Sequence, residues 1–150
     1  MIVKDSYPLP RMDECIDTLG EAKIFTTLDA FWGYWQISLS EKDKPKTSFV
    51  CHAGQFQYTR MPFGLTNGPE TFQRALDVIL NRFKWKKWLV YIDDIIIFSK
   101  TVYEHIGHVD ENVGILRTSG VTLKINKCNC LLYTSPSPRD QRGSRMPSSA

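Results

Sequence analysis

The chain has no apolar run approaching the ~18 residues that a membrane-spanning helix needs. Its opening stretch, MIVKDSYPLPRMDE, also lacks the apolar core of about 7–15 residues that marks a secretory leader, so an intracellular location is the expectation. Cysteine is scarce and irregularly placed, at 15, 51, 128 and 130, which gives no disulfide framework and agrees with a reducing compartment. A zinc site drawn from His105, His108, Cys128 and Cys130 fits poorly, because one residue between the cysteines is tight for two tetrahedral positions. The two histidines are expected to face solvent or to pack. Strong charge of one sign is missing too. The net charge is +3, and Arg139, Arg142 and Arg145 against Asp140 supply most of it, so residues 1–130 are close to neutral. Contact with nucleic acid would therefore have to use local patches. No internal repeat is visible, and 150 residues suffice for one domain with a core.

What is present alternates in type. MDECIDTLG reads as a short helix closed by Gly20, and IFTTLDA and YWQISLS as strands. KTSFVCHAGQFQYTR reads as a hairpin around Ala53-Gly54. In TNGPETFQRALDVILNRF, Pro69 and Glu70 suit a first helical turn, and Phe72, Leu76, Ile79 and Phe83 form an apolar stripe. WLVYI and IIIFS are strands. TVYEHIGHVDENVGILRTSG is a helix with Ile106, Val109, Val113 and Leu116 inward and Gly120 ending it, and VTLKI is a last strand. Helices on an antiparallel, hairpin-rich sheet predict an α+β architecture. Residues 131–150, LLYTSPSPRDQRGSRMPSSA, are dominated by Ser, Pro and Arg, so disorder is expected there and a domain boundary near 130. NRFKWKKW, residues 81–88, interleaves cations with aromatics; a helix end and a nucleic-acid grip are both readings of it, and the first is preferred.

Within LVYIDDIIIFSK, two adjacent acids, Asp93 and Asp94, interrupt an apolar, β-branched run. Burying an unpaired carboxylate costs of order ~5 kcal/mol, and neighbouring carboxylates also repel. A two-residue turn placing both acids at a hairpin tip would leave them hydrated, yet Asp-Asp is poor turn chemistry where both central residues need positive φ. The other reading is a metal site. A third acid, Asp29 in TTLDAFWGYWQI, also stands at the end of an apolar strand. Carboxylates from two strand ends can converge on hard divalent cations such as magnesium.

KDSYPLPRMDE, TTLDAFWGYWQI, KPKTSFV, RMPFGLTNGPETFQR, LVYIDDIIIFSK, EHIGHV and GVTLKINKC follow one another in an order and spacing that resemble the reverse transcriptase of gypsy-type long-terminal-repeat retrotransposons, over about residues 3–128. The resemblance implies a polymerase palm, an antiparallel sheet packed on two helices, with partial fingers and an incomplete domain. It implies two Mg²⁺ ions, with Mn²⁺ as a substitute, held by Asp29, Asp93, Asp94 and the Ala30 carbonyl. It further implies substrate contacts at Ala30, Phe31, Tyr34, Phe63 and Gly64, with Tyr34 as a steric gate against the ribose 2′-hydroxyl, and Lys127 as the acid that protonates the leaving pyrophosphate. The implied partners are a primed RNA or DNA template and a dNTP, with no membrane. The family's upstream fingers segment and its thumb, RNase H and integrase regions are expected to be absent here, and Cys130 stands where the family has an aromatic. The expected function is RNA-directed DNA polymerisation with little activity in the isolated chain; the alternative is a non-catalytic palm remnant.

Overall fold

The computed structural model describes residues 7–133. Four antiparallel strands form the sheet: β1 (Ile24–Asp29), β4 (Trp88–Tyr91), β5 (Asp94–Ser99) and β6 (Asn129–Tyr133), in the spatial order β4-β5-β1-β6. A separate hairpin pairs β2 (Phe49–Cys51) with β3 (Gly54–Phe56), where KTSFVCHAGQFQYTR predicts one. The helices are α1 (Met12–Leu19), α2 (Gly68–Leu80) and α3 (Val102–Thr118).

Side chains alternate across a strand, and this divides the sheet into two different faces. Leu28, Val90, Ile95, Ile97 and Trp88 lie on one side, sealed by Phe72, Leu76 and Leu80 of α2 and Leu116 of α3. On the other side Leu89 and Phe98 pack with Cys15 of α1 and Ala22, at the end of the sheet away from Asp29. Asp29 and Asp94 face each other across β1 and β5, and the next inward pair is Leu28 with Ile95. The acids therefore belong to the face that α2 and α3 do not cover. The palm-like α+β architecture agrees with expectation; a third helix, α1, is added on the opposite face.

Several local expectations are corrected. YWQISLS is not a regular strand. Gly33–Gln36 is a 3₁₀ turn, and the extended part makes only a bridge, through Ser38 and Arg60. VTLKI contributes one bridge, Leu123 to Ala30, before a 3₁₀ turn at Ile125–Lys127. The last strand is β6, which pairs with β1 through Tyr133, so the boundary expected at 130 falls inside a strand. The remainder of the expected tail, 134–150, lies outside the described residues.

The phase of α3 also differs. Leu116 is buried and Val109 packs on the core, but Ile106 is 60% exposed and Val113 faces outward. His105 and Asn112 take the inward positions, on the same helical stripe as Leu116. His105 finds partners: Nε2 is 2.8 Å from Thr26 Oγ1, and Nδ1 is 3.0 Å from Ser99 Oγ. Burial, with His108 nearby, holds its pKa below the usual imidazole value. His108 Nδ1 also meets Ser99 Oγ, at 2.7 Å, so these imidazoles serve packing. Asn112 finds no partner for either amide atom. A buried unsatisfied polar group costs about 1–3 kcal/mol, so Asn112→Leu is expected to raise the melting temperature in a thermal melt. A lower value would show that the amide is satisfied by a buried water.

Candidate active site

The hairpin between β4 and β5 closes with Tyr91 opposite Asp94, which leaves Ile92 and Asp93 as its two central residues. The sequence reading places both acids at the tip; the structure moves the turn back by one residue. Asp94 is already in the ladder, paired with both Tyr91 and Asp29. Ile92 has φ of 55°, while Asp93 is not among the residues with positive φ. Positive φ at the first central position alone is the type II′ pattern, normally a glycine position. A β-branched residue held there costs about 1–3 kcal/mol, a strain that other contacts must offset.

Asp93 is the unusual acid. Its Oδ1 is buried without a hydrogen-bond partner. Burial first, then the charges of Asp94 and Asp29, push its pKa above the ordinary carboxylate value. Asp29 Oδ2 lies 3.7 Å from the mostly exposed Lys127 ammonium. Among the described residues no group of three or more His, Cys, Asp or Glu side chains forms a ready cage. Two features nonetheless fit a hard divalent cation: the donors are all oxygen, and one of them is buried and unpaired. The bridge from β1 to the 122–124 segment uses the Asp29 carbonyl and the Phe31 N–H, leaving the Ala30 carbonyl outside those bonds.

A cleft of about 360 Å³ opens beside these acids, lined by Asp29, Ala30, Trp32, Gly33, Tyr34, Phe63, Asp93, Lys124 and Lys127. Six residues singled out in the sequence thus meet in one place: Asp29, Ala30, Tyr34, Phe63, Asp93 and Lys127. Asp94, Phe31 and Gly64 are not in its lining; Phe31 lines a neighbouring depression with Arg60. Tyr34 is buried, its ring centroid 5.1 Å from Phe63 and 5.6 Å from Phe72. Desolvation, then the charges of Asp93 and Glu70, raises the Tyr34 phenol pKa, so the hydroxyl stays protonated. Gly33 makes this packing possible: a Cβ there would stand 3.1 Å from the Phe72 ring. Gly64, with φ of +89°, turns the chain behind Phe63.

The sequence reading passes over Trp32, Lys124 and, most of all, Gln73. Gln73 is fully buried on α2, and its side chain bonds the Val90 carbonyl and the Ile92 N–H of the acidic hairpin. A lone glutamine between Phe72 and Leu76 carries no signal in composition or spacing. In NRFKWKKW, α2 has already ended at Leu80 with no cation in its last turn, so the preferred helix-end reading does not hold. Lys84 instead pairs with Asp77, Lys87 with Glu111, and Trp88 is buried at the start of β4.

The reverse transcriptase (RNA-dependent DNA polymerase) family profile matches residues 1–144. The chain is 42% identical over 129 residues to the retrovirus-related Pol polyprotein from transposon 297 of Drosophila melanogaster, covering 86% of this chain and 12% of that one. It is 46% identical over 108 residues to the Pol polyprotein from transposon gypsy of the same organism, covering 72% of this chain and 10% of the polyprotein. An RNA-directed DNA polymerase homolog of Oenothera berteroana is 40% identical over 110 residues and is covered to 78% of its length, with 71% of this chain matched. Among solved structures, the foamy viral protease-reverse transcriptase in complex with RNA/DNA hybrid shares the fold, with TM-score 0.76 at 23% identity, over 85% of this chain and 17% of that one. The same enzyme's dRH form in complex with ds DNA matches with TM-score 0.76 at 26% identity, over 87% of this chain and 23% of that one. The chain spans a small part of the polyproteins it matches and belongs to the reverse transcriptase family, whose members generally use divalent metal ions.

Proposed function

We propose that this chain carries the catalytic palm of an RNA-directed DNA polymerase, which transfers a nucleotide from a dNTP to a primer 3′-hydroxyl on an RNA or DNA template. One observation carries the reading: three acids gather at the end of the sheet, Asp94 paired with Asp29 across the strands, and Asp29 and Asp93 lining a cleft, with Asp93 Oδ1 buried and without a partner. Asp29 and Asp93 would hold two Mg²⁺ ions, or Mn²⁺ in their place, with Asp94 assisting and the Ala30 carbonyl completing one shell. Bound there, the ions would acidify the primer hydroxyl and offset charge on the triphosphate.

The remaining work falls to the protein's own side chains. Tyr34, wedged between Phe63 and Phe72, would present its ring beneath the sugar and clash with a 2′-hydroxyl. Phe63, with one face in the cleft, would cover the incoming nucleotide. Phe31 and Gly64, just outside the lining, would contribute backbone contacts. Lys127 would exchange its Asp29 partner for the departing pyrophosphate and donate a proton to it.

The near-neutral charge of residues 1–130 favours weak hold on a template, and hence little synthesis by the isolated chain. Primer extension on poly(rA)·oligo(dT), with parallel binding titrations of wild type and Asp93→Asn, tests the proposal. The expected result is weak extension and Mg²⁺-dependent primer–template binding that the variant loses. Binding indifferent to Asp93→Asn would leave a palm-fold remnant; robust synthesis would overturn the low activity.

A further inference from the structure

Ile92 presents Asp93 from a backbone conformation that β-branched residues avoid, and neither neighbour is a glycine that could relax it. Contacts from outside the turn must hold it. Gln73 Oε1 accepts the Ile92 N–H at 2.6 Å. Its Nε2 donates to the Val90 carbonyl at 3.1 Å and to Asp77 Oδ1 at 3.0 Å. Together these bonds allow the amide one orientation. Flipped, its NH₂ would oppose the Ile92 N–H, and its oxygen would oppose a carbonyl and a carboxylate. Asp77 is fixed in turn by Lys84 Nζ at 2.6 Å and by the Tyr7 hydroxyl at 2.8 Å. A continuous hydrogen-bonded path, buried at Asp77 and Gln73, thus runs from Tyr7 and Lys84 to the backbone on both sides of Tyr91.

We infer that Gln73 is a positioning residue for the carboxylate site: its amide, oriented by Asp77, holds the Ile92–Asp93 turn in the conformation that presents Asp93 to the cleft. The inference rests on the metal-site reading above. Burial alone would be served by leucine or methionine at this helix position, as at Leu76 and Leu80. An amide with two of its three bonds on the acidic hairpin does something those residues cannot. It touches neither substrate nor ion and acts through the turn.

The test uses the purified chain and Gln73→Met, which keeps side-chain length and removes all three bonds. Amide exchange at Ile92 is followed by NMR without metal, and Mn²⁺ affinity by electron paramagnetic resonance. Expected are exchange at Ile92 at least about tenfold faster, with the β5 amides unchanged, and Mn²⁺ binding about 10–100-fold weaker, the usual effect of losing a group that orients a ligand. Adding Ile92→Asn to Gln73→Met should recover affinity, because asparagine tolerates positive φ. Wild-type protection of Ile92 in the variant overturns the inference, as does unchanged Mn²⁺ affinity. If wild type itself binds no Mn²⁺, the metal-site reading falls instead, and Ile92 exchange still decides whether Gln73 holds the turn. Asp77→Asn, which loosens the amide's orientation without emptying the site, supplies the same two readouts should Gln73→Met fail to fold.

Discussion

Asp93→Asn is expected to melt at a higher temperature than wild type without metal, and at a lower one with saturating Mn²⁺. Without metal, the Asp93 carboxylate has a buried oxygen lacking a partner and two like charges beside it. Asparagine removes the charge and keeps the shape. The gain should be about 1 kcal/mol, since the side chain is only partly buried and solvent screens the repulsion. That corresponds to a rise of about 3–6 °C for a domain of this size.

The pH dependence fixes the sign. Asp93 is raised in the folded state, so from the ordinary aspartate value of 3.8 upward the native protein binds more protons at this site than the unfolded chain does. Wild type therefore loses stability from this group as pH climbs from 3.8 through the raised native value, and the loss is complete once pH lies above that value. The variant lacks that loss, so the gap between the two opens across the same window. Metal reverses the order: a ligand at a hundredfold excess over its dissociation constant stabilises the native state by about 2.7 kcal/mol, and a variant without Asp93 should gain almost nothing. Differential scanning fluorimetry at several pH values, with and without Mn²⁺, reads all of this. Equal metal responses in the two proteins would remove Asp93 from the ligand set.

Legibility in the sequence followed the strength of the local pattern. The α2 stripe of Phe72 and Leu76 was unambiguous because apolar residues recur at helical spacing with no competing phase, and Phe72 and Leu76 are indeed buried. On α3 two stripes compete: one apolar, through Ile106 and Val113, and one through His105, Asn112 and Leu116. The second faces the sheet because Thr26 and Ser99 offer hydroxyls to His105, a long-range match that no local window contains. The acids were legible as interruptions of apolar strands. Their register was not, because the one-residue position of the turn depends on Gln73, nineteen residues upstream, accepting the Ile92 N–H. Likewise β6 is a strand because β1 offers a free edge, not because NCLLY is unusually strand-like.

Trp88→Ala should be the most damaging single change in the sheet. Trp88 opens β4 opposite Ile97 and is 0% exposed. Its indole sits edge-on to Phe83 at 5.7 Å, and its Nε1 donates to the Leu80 carbonyl at 2.9 Å. That carbonyl is among the last on α2, where no intrahelical donor remains, so the bond ties the end of α2 to the start of the acidic hairpin. Removing the indole leaves a cavity and strips the carbonyl, at a cost of about 3–5 kcal/mol out of a total of about 5–15 kcal/mol for a domain. Trp88→Phe separates the two terms: it keeps most of the packing and loses the hydrogen bond, for about 1–2 kcal/mol. Urea titrations should show a lower midpoint at unchanged slope in both variants, in that order of severity. An alanine variant within about 1 kcal/mol of wild type would mean that β4 is held elsewhere. The anchor would then have to be the far end of the strand, where Gln73 bonds Val90 and Ile92, and metal binding would survive the loss of the tryptophan.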